Sequence, residues 1–201
     1  MPRESLKAKQ ERAEKIIGLL HDEYPGAKCS LDFKSVHQLL VATILSAQCT
    51  DERVNMVTPG LFKKYPSVKA FAEANLEELK KDIYTTGFYA NKAKAIKASA
   101  RAVLDQHNGK VPRKLDELVA LPGVGRKTAS VILGAGYGLA EGIVVDTHVS
   151  RISRLLGFTA EKDAVKIERD LLKIIPKEDW IDYSHMLIYH GRAICIARRP
   201  K

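Results

Sequence analysis

The sequence predicts an all-α protein, because apolar residues recur at helical spacing along most of its length. Three such stripes are Ala13, Ile16, Ile17 and Leu20; Ala93, Ile96, Ala100, Val103 and Leu104; and Val165, Ile167, Leu171, Leu172 and Ile175. No alternating pattern of the kind that β-hairpins show competes with them. With 201 residues, 45% of them hydrophobic, the chain is long enough to bury a sizeable core in one or two domains.

Individual helices are delimited by capping residues and breaks. Starts are predicted at Ser35, Ser67, Asn75 (with Glu78 three residues on) and Asp146. Breaks are predicted at Tyr24-Pro25-Gly26, Thr86-Gly87, His107-Asn108-Gly109 and Gly134–Gly138. The segment from Val36 to Ala47 is apolar on most faces, which predicts a helix at the centre of a bundle.

The charge of the chain favours a polyanionic partner. It has 33 Lys and Arg against 24 Asp and Glu, a net charge of +9. Solvated lysine faces explain such a charge equally well.

The N-terminus MPRESLKAKQ is polar, and the longest apolar run, Leu39 to Leu45, is far shorter than the ~20 residues of a membrane span. We therefore expect an intracellular, soluble protein without a targeting segment.

The cysteines, Cys29, Cys49 and Cys195, are odd in number and widely spaced. Neither a disulfide framework nor a complete four-cysteine metal site can be written with them. We expect three reduced thiols, two of them buried.

The most specific pattern is the stretch from Leu118 to Ile132, LVALPGVGRKTASVI, which reads as helix, hairpin, helix. Gly123 and Gly125 flank Val124, so the backbone can turn tightly and approach a ligand. Backbone N–H groups at the start of the second helix suit a DNA phosphate, and such a contact is independent of base sequence. A helix–turn–helix corner without a ligand is the alternative.

Two residues at helix starts are candidates for chemistry. Lys127 falls in the first turn after the hairpin, where the helix dipole disfavours an ammonium ion. On physical grounds alone a phosphate-contacting or merely solvated lysine is the favoured interpretation. Asp146 follows the apolar run 142–145 and is an N-cap candidate, and a rigidly held carboxylate there is also able to stabilise a cationic sugar.

The hairpin resembles that of the endonuclease III family of DNA glycosylases, and the similarity extends from about Ile16 to Lys201. Further segments are similar to family signatures in the same order, namely Leu45–Asp51, Val145–His148, His190–Arg192 and Cys195–Arg198. The resemblance implies a base-excision-repair glycosylase with abasic-site lyase activity, which removes oxidised pyrimidines from duplex DNA through a lysine Schiff base. It implies Lys127 as the amine nucleophile and Asp146 as the partner carboxylate.

The resemblance also implies a set of DNA-contacting residues. Gln48 would fill the space of a flipped nucleotide, and Phe88 stands where the family has its wedge residue, usually an aliphatic one. The hairpin would contribute Leu121, Gly123, Val124, Gly125 and Arg126. Asp51 and His148 lie in family signatures, where lining the pocket is one interpretation and a polar cap or a core histidine is the other.

The iron–sulfur cluster is the main departure from the family. Many members bind a 4Fe–4S cluster through four cysteines, and Cys195 resembles the first ligand, whereas the second would fall just after Lys201. One thiolate cannot hold a four-iron cluster, so we expect none on the chain as given, which is either truncated or lacks its tail. A monovalent cation at the hairpin is a further possibility. The loop Gly134–Gly142 also lacks the proline common in the family.

The expected architecture has two lobes. A helical barrel comprises residues 28–137 with the helix–hairpin–helix at about 115–134, and residues 1–27 with 138–201 form the second lobe, with DNA and the target pocket between them. We expect a cytoplasmic, nucleoid-associated monomer acting on double-stranded DNA that carries damaged bases or abasic sites. A non-catalytic helix–hairpin–helix protein is one alternative. A monofunctional mismatch glycosylase is another, disfavoured because such enzymes typically lack a lysine at the position of Lys127.

Overall fold

A computed structural model of the chain describes residues 4–198 and 200–201. It is 64% helical with no strand among these residues, which confirms the all-α prediction. The α-helices are α1 (Leu6–Glu23), α2 (Val36–Leu45), α3 (Asp51–Lys64), α4 (Val68–Glu73), α5 (Leu76–Asp82), α6 (Tyr89–Gln106), α7 (Leu115–Val119), α8 (Arg126–Val131), α9 (Thr147–Leu155), α10 (Ala164–Leu171) and α11 (Trp180–Ala193). Short 3-10 helices span Tyr84–Thr86 and Lys177–Asp179, and a π-helix spans Ile132–Gly136.

The predicted helix starts are confirmed, and side chains cap three of them. Ser67 accepts the Ala70 amide, Asn75 those of Glu77 and Glu78, and Asp146 that of Val149. Ser35 precedes α2 in extended conformation without a capping side-chain bond. Satisfying otherwise unpaired amides in this way contributes about 1 kcal/mol per helix.

The chain divides into two compact units, Ser30–Tyr137 and Met1–Cys29 together with Gly138–Lys201. In the first unit α2 is the core helix, as predicted, since every residue from Leu39 to Leu45 is buried. It packs against α3, α6, α8 and the π-helix. This central position fixes the end of α2 at Leu45. The connection from α2 to α3 that follows contains Gln48.

The second unit has its own core of residues from α1, α9, α10 and α11. Tyr183 is fully buried there, and its hydroxyl lies 2.9 Å from that of Ser153. The predicted stripe on α10 was wrong for Val165, which is 49% exposed. The buried face of α10 is set by Ile167 and Leu171, and a residue two positions before Ile167 lies about 200° around the helix from it.

The predicted break at Gly134–Gly138 begins later than the glycines suggested. After α8 the helix continues as the π-helix, and the turn comes at Gly138, whose φ is +67°. Gly136 allows close packing on α2, because a Cβ there would lie 3.2 Å from side-chain atoms of Val36 and Leu39.

The cysteines are free thiols, and all three are half-buried, so the expectation of two buried thiols was wrong. Within the described ranges, no helix combines the length and apolar character that crossing a membrane requires.

Candidate nucleic-acid interface and active site

The helix–hairpin–helix is formed by α7, the turn 120–125 and α8. Its packing comes from the predicted apolar residues, of which Leu118, Leu121, Val124, Ala129 and Ile132 are all buried. The turn is closed by the Val124 amide, which donates to the Leu121 carbonyl at 3.1 Å. The sequence was sufficient to predict this packing because the apolar pattern and the turn lie within fifteen consecutive residues.

The two glycines of the hairpin differ in backbone conformation and in surroundings. Gly123 has a φ of +79°, and a Cβ built on it would lie only 2.7 Å from the Cβ of Ala95 on α6. Gly125 is the N-cap of α8 with a φ of −89°, and a Cβ there would meet no atom within 4 Å. Gly123 is therefore required by the fold, while Gly125 leaves the backbone open to an approaching ligand.

Replacing Gly123 by alanine should lower the free energy of unfolding by about 2 kcal/mol or more, since it adds left-handed strain and a collision with Ala95. Chemical denaturation measures the effect. Gly125→Ala is the matched control and should stay within about 0.5 kcal/mol of the parent protein. Equal stability of the two variants would contradict this account of Gly123.

Lys127 lies at the open end of the hairpin. Gly123, Gly125, Arg126 and Lys127 are all exposed. The first hydrogen bond of α8 is donated by the Ala129 amide to the Gly125 carbonyl at 2.9 Å. The amides that precede Ala129 in this first turn have no acceptor within the helix. The lysine amine, the positive end of a helix and exposed backbone donors thus share one edge of the 30–137 unit.

Asp146 is held at the start of α9 in the other unit. Its Oδ1 accepts the Val149 amide at 2.8 Å, and the residue is half-buried. The segment before it is anchored, because Ile143 is buried and the Ser184 hydroxyl donates to the Val144 carbonyl at 3.0 Å. Such anchoring limits the side-chain motion of a carboxylate that is to act at a fixed point.

Asp51 and His148 take different places. Asp51 is the first residue of α3 and half-buried. The Nδ1 atom of His148 is buried and has no hydrogen-bond partner among the described residues. A Cβ on Gly191 of α11 would collide with this atom, so the imidazole packs closely on that glycine. This contact gives His148 a packing role, and its part in a pocket stays a prediction.

Gln48 and Phe88 share an unusual backbone. Their φ angles are +53° and +47°, a left-handed conformation that few residues other than glycine adopt. Both are exposed, Phe88 by 61%. Gln48 follows the end of α2, and Phe88 is the N-cap of α6. Each therefore presents its side chain from a tight turn beside a helix end.

Sequence reasoning missed residues around these turns. The rings of Tyr84 and Tyr89 flank Phe88 along the chain, with centroids 4.8 Å apart. Lys92 is a buried lysine on α6, 5% exposed. A signal for it was available, because residue 92 falls at helical spacing on the apolar face of Ile96 and Val103.

The residues around Cys195 do not fit an iron–sulfur cluster. Its Sγ accepts a hydrogen bond from Arg151 Nη1 at 3.1 Å, and its carbonyl accepts one from Arg151 Nη2. Within residues 4–198 and 200–201, no three His, Cys, Asp or Glu side chains group together to hold a metal. The described residues by themselves therefore do not form a site for a cluster.

The chain is similar to known base-excision DNA-repair proteins along most of its length. The family model described as HhH-GPD superfamily base excision DNA repair protein matches residues 41–177. Endonuclease III of Synechocystis sp. is 52% identical over 193 residues, covering 96% of this chain and 88% of that protein. Endonuclease III of Bacillus subtilis is 44% identical over 192 residues, covering 95% and 87%.

Solved structures of DNA-repair enzymes are also similar to this chain. A trapped endonuclease III–DNA covalent intermediate, an estranged-adenine complex, aligns with a TM-score of 0.90 at 42% identity, covering 96% of this chain and 90% of that chain. A thermostable thymine-DNA glycosylase aligns with a TM-score of 0.83 at 21% identity, covering 98% and 93%, and shares the fold.

Proposed function

Because the chain belongs to the endonuclease III family of the HhH-GPD superfamily, we propose that Lys127 and Asp146 carry out its chemistry. The protein is a bifunctional base-excision DNA glycosylase with abasic-site lyase activity. The observation that carries the assignment is the similarity to endonuclease III trapped covalently on DNA. A covalent species requires a nucleophile, and Lys127 offers an exposed amine at the start of α8.

The reaction begins with attack of the neutral Lys127 amine on the sugar C1′. The bond from C1′ to the base breaks, and the base leaves with the electron pair and takes up a proton. The sugar ring then opens as the nitrogen lone pair displaces O4′ from C1′, so that O4′ takes a proton and the amine becomes an imine. Asp146 accepts the proton of the attacking amine and stabilises the positive charge that develops on the sugar. Its anchored position at the N-cap of α9 supports this role.

Strand cleavage follows from the same imine. The imine acidifies the C2′ proton, whose removal drives β-elimination of the 3′ phosphate and breaks the strand. Hydrolysis of the remaining imine then returns the free lysine. A single amine thus performs both base removal and lyase chemistry.

Binding to DNA depends on the hairpin and on the two turns that carry Gln48 and Phe88. The backbone donors near Gly125, with Arg126, contact a phosphate near the damaged site irrespective of sequence, which the net charge of +9 supports. Leu121, Gly123 and Val124 shape that contact. Gln48 enters the space of the flipped nucleotide, Phe88 separates neighbouring bases, and Asp51 and His148 belong to the pocket.

The protein acts as a monomer on duplex DNA that carries oxidised pyrimidines or abasic sites, and it works on the nucleoid in the cytoplasm. A monovalent cation at the hairpin stays a prediction. The relatives do not favour the alternatives, a non-catalytic DNA-binding protein and a monofunctional mismatch glycosylase.

The test is borohydride reduction during turnover. The intact protein should form a covalent adduct and nick a duplex containing an oxidised pyrimidine at least about tenfold faster than duplexes with an oxidised purine or a mismatch. Gel electrophoresis of the adduct and the nicked strand measures both. Failure of the intact protein to form any adduct on abasic-site DNA would overturn the lyase assignment, and equal rates on all duplexes would overturn the substrate class.

A further inference from the structure

Lys92 is a buried cation whose partners are backbone carbonyls. Only 5% of the residue is exposed, and its Nζ donates to Leu45 O and to Thr86 O, both at 2.7 Å. Buried lysines are ordinarily paired with a carboxylate, but none within the described part of the chain contacts this one. Burial lowers the pKa of Lys92, an effect that nearby Cys49 opposes.

Both acceptors stand at helix ends. Leu45 is the last residue of α2, and Thr86 is the last residue of the 3-10 helix Tyr84–Thr86. Carbonyls in the last turn of a helix lack donors within it, and the negative end of the dipole attracts a cation. One amine therefore satisfies two helix termini that are distant in sequence and holds them a fixed distance apart.

The two DNA-directed turns begin at these same helix ends. Gln48 comes three residues after Leu45, and Phe88 comes two residues after Thr86. The Lys92 amide also donates to Phe88 O at 3.1 Å, so Lys92 contacts the second turn through both its side chain and its backbone. Left-handed residues such as Gln48 and Phe88 keep that conformation only where surrounding contacts hold it.

We propose that Lys92 is a positioning residue, which fixes the spacing between the Gln48 turn and the Phe88 turn so that both side chains enter the duplex together. This inference rests on the proposed function, since it takes Gln48 and Phe88 as the inserted residues. The sequence context supports a role beyond folding. Lys92 lies in the first turn of α6, where the dipole disfavours a cation, and on a face that is otherwise apolar.

The test compares two substrates of one enzyme. Base removal from duplex DNA requires both inserted side chains, whereas β-elimination at an abasic site in single-stranded DNA has no partner base to fill or wedge apart. Lys92→Met keeps the length and apolar stem but removes the donors. It should lower kcat for base removal about tenfold while changing single-strand β-elimination less than about twofold.

Lys97→Met is the matched control. Lys97 lies on the same helix, and its Nζ donates to Ala74 O at the same 2.7 Å, but that carbonyl is at the C-cap of α4, a helix end that precedes neither turn. This variant should keep the wild-type ratio of the two activities. Lys92→Gln retains two amide donors and should restore part of the ratio; it carries the same measurement if Lys92→Met does not fold.

A double-mutant cycle completes the design. In a Gln48→Ala/Phe88→Ala background, Lys92→Met should cause no further fall in the ratio, because the residues that it positions are gone. If the ratio of the two activities is unchanged in Lys92→Met, whether both activities fall equally or neither falls, the proposal is overturned. If Lys92→Met does not fold, an equal fall of both activities in Lys92→Gln overturns it instead. If the wild-type protein shows no β-elimination at an abasic site in single-stranded DNA, the result contradicts the proposed function instead.

Discussion

Lys127→Ala should abolish covalent trapping on DNA and reduce strand cleavage by at least about a thousandfold, because no other group would supply the attacking amine. Lys127 is exposed, so the substitution should leave the melting temperature unchanged. Borohydride trapping on an abasic-site duplex measures adduct formation, and a gel assay of the same duplex measures cleavage.

Two further variants separate the nucleophile from the charge. Lys127→Arg keeps a cation near the phosphate but has no amine that is neutral at working pH, so it should bind DNA and remain inactive. Lys110→Ala removes an exposed lysine of the same unit outside the hairpin and should trap as the parent protein does. Trapping by Lys127→Arg at the wild-type rate would exclude Lys127 as the nucleophile.

The sequence predicted those parts of the fold that depend on neighbours along the chain. The N-caps Asn75 and Asp146, the apolar character of α2 and the apolar pattern of the hairpin can each be recognised within a short stretch of sequence. The structure confirms the caps and the burial that these patterns predict. Val165 shows the limit of this approach. Its spacing fits an apolar stripe, but only the packing of α10 determines which side of the helix is buried.

The parts of the site that depend on distant contacts were not predictable. The burial of Lys92 could be predicted from its helical spacing with Ile96 and Val103, but its acceptor could not, because Leu45 O is 47 residues away in the chain. The same holds for His148, whose close neighbour Gly191 comes from another helix. The left-handed conformations of Gln48 and Phe88 likewise follow from the helix ends beside them, since neither residue type favours that conformation by itself.

Asp146 has two functions to separate, capping α9 and assisting the chemistry, and Asp146→Asn separates them. Asparagine caps a helix about as well as aspartate, so the Val149 amide should keep its acceptor and stability should change by less than about 0.5 kcal/mol. The lost charge removes both the proton acceptor and the stabilisation of the cationic sugar. Base removal should therefore fall on the order of a hundredfold.

Asp163→Asn provides the matched control, because Asp163 caps α10 through the amides of Val165 and Lys166 in the same unit. It should match the parent protein in both stability and rate. Asp146→Ala removes the cap as well and should cost about 1 kcal/mol of stability in addition to the loss of rate. Trapping of Asp146→Asn on a preformed abasic site should fall less than base removal, since that substrate bypasses the cationic sugar. A rate of base removal equal to wild type in Asp146→Asn would reduce Asp146 to a helix cap.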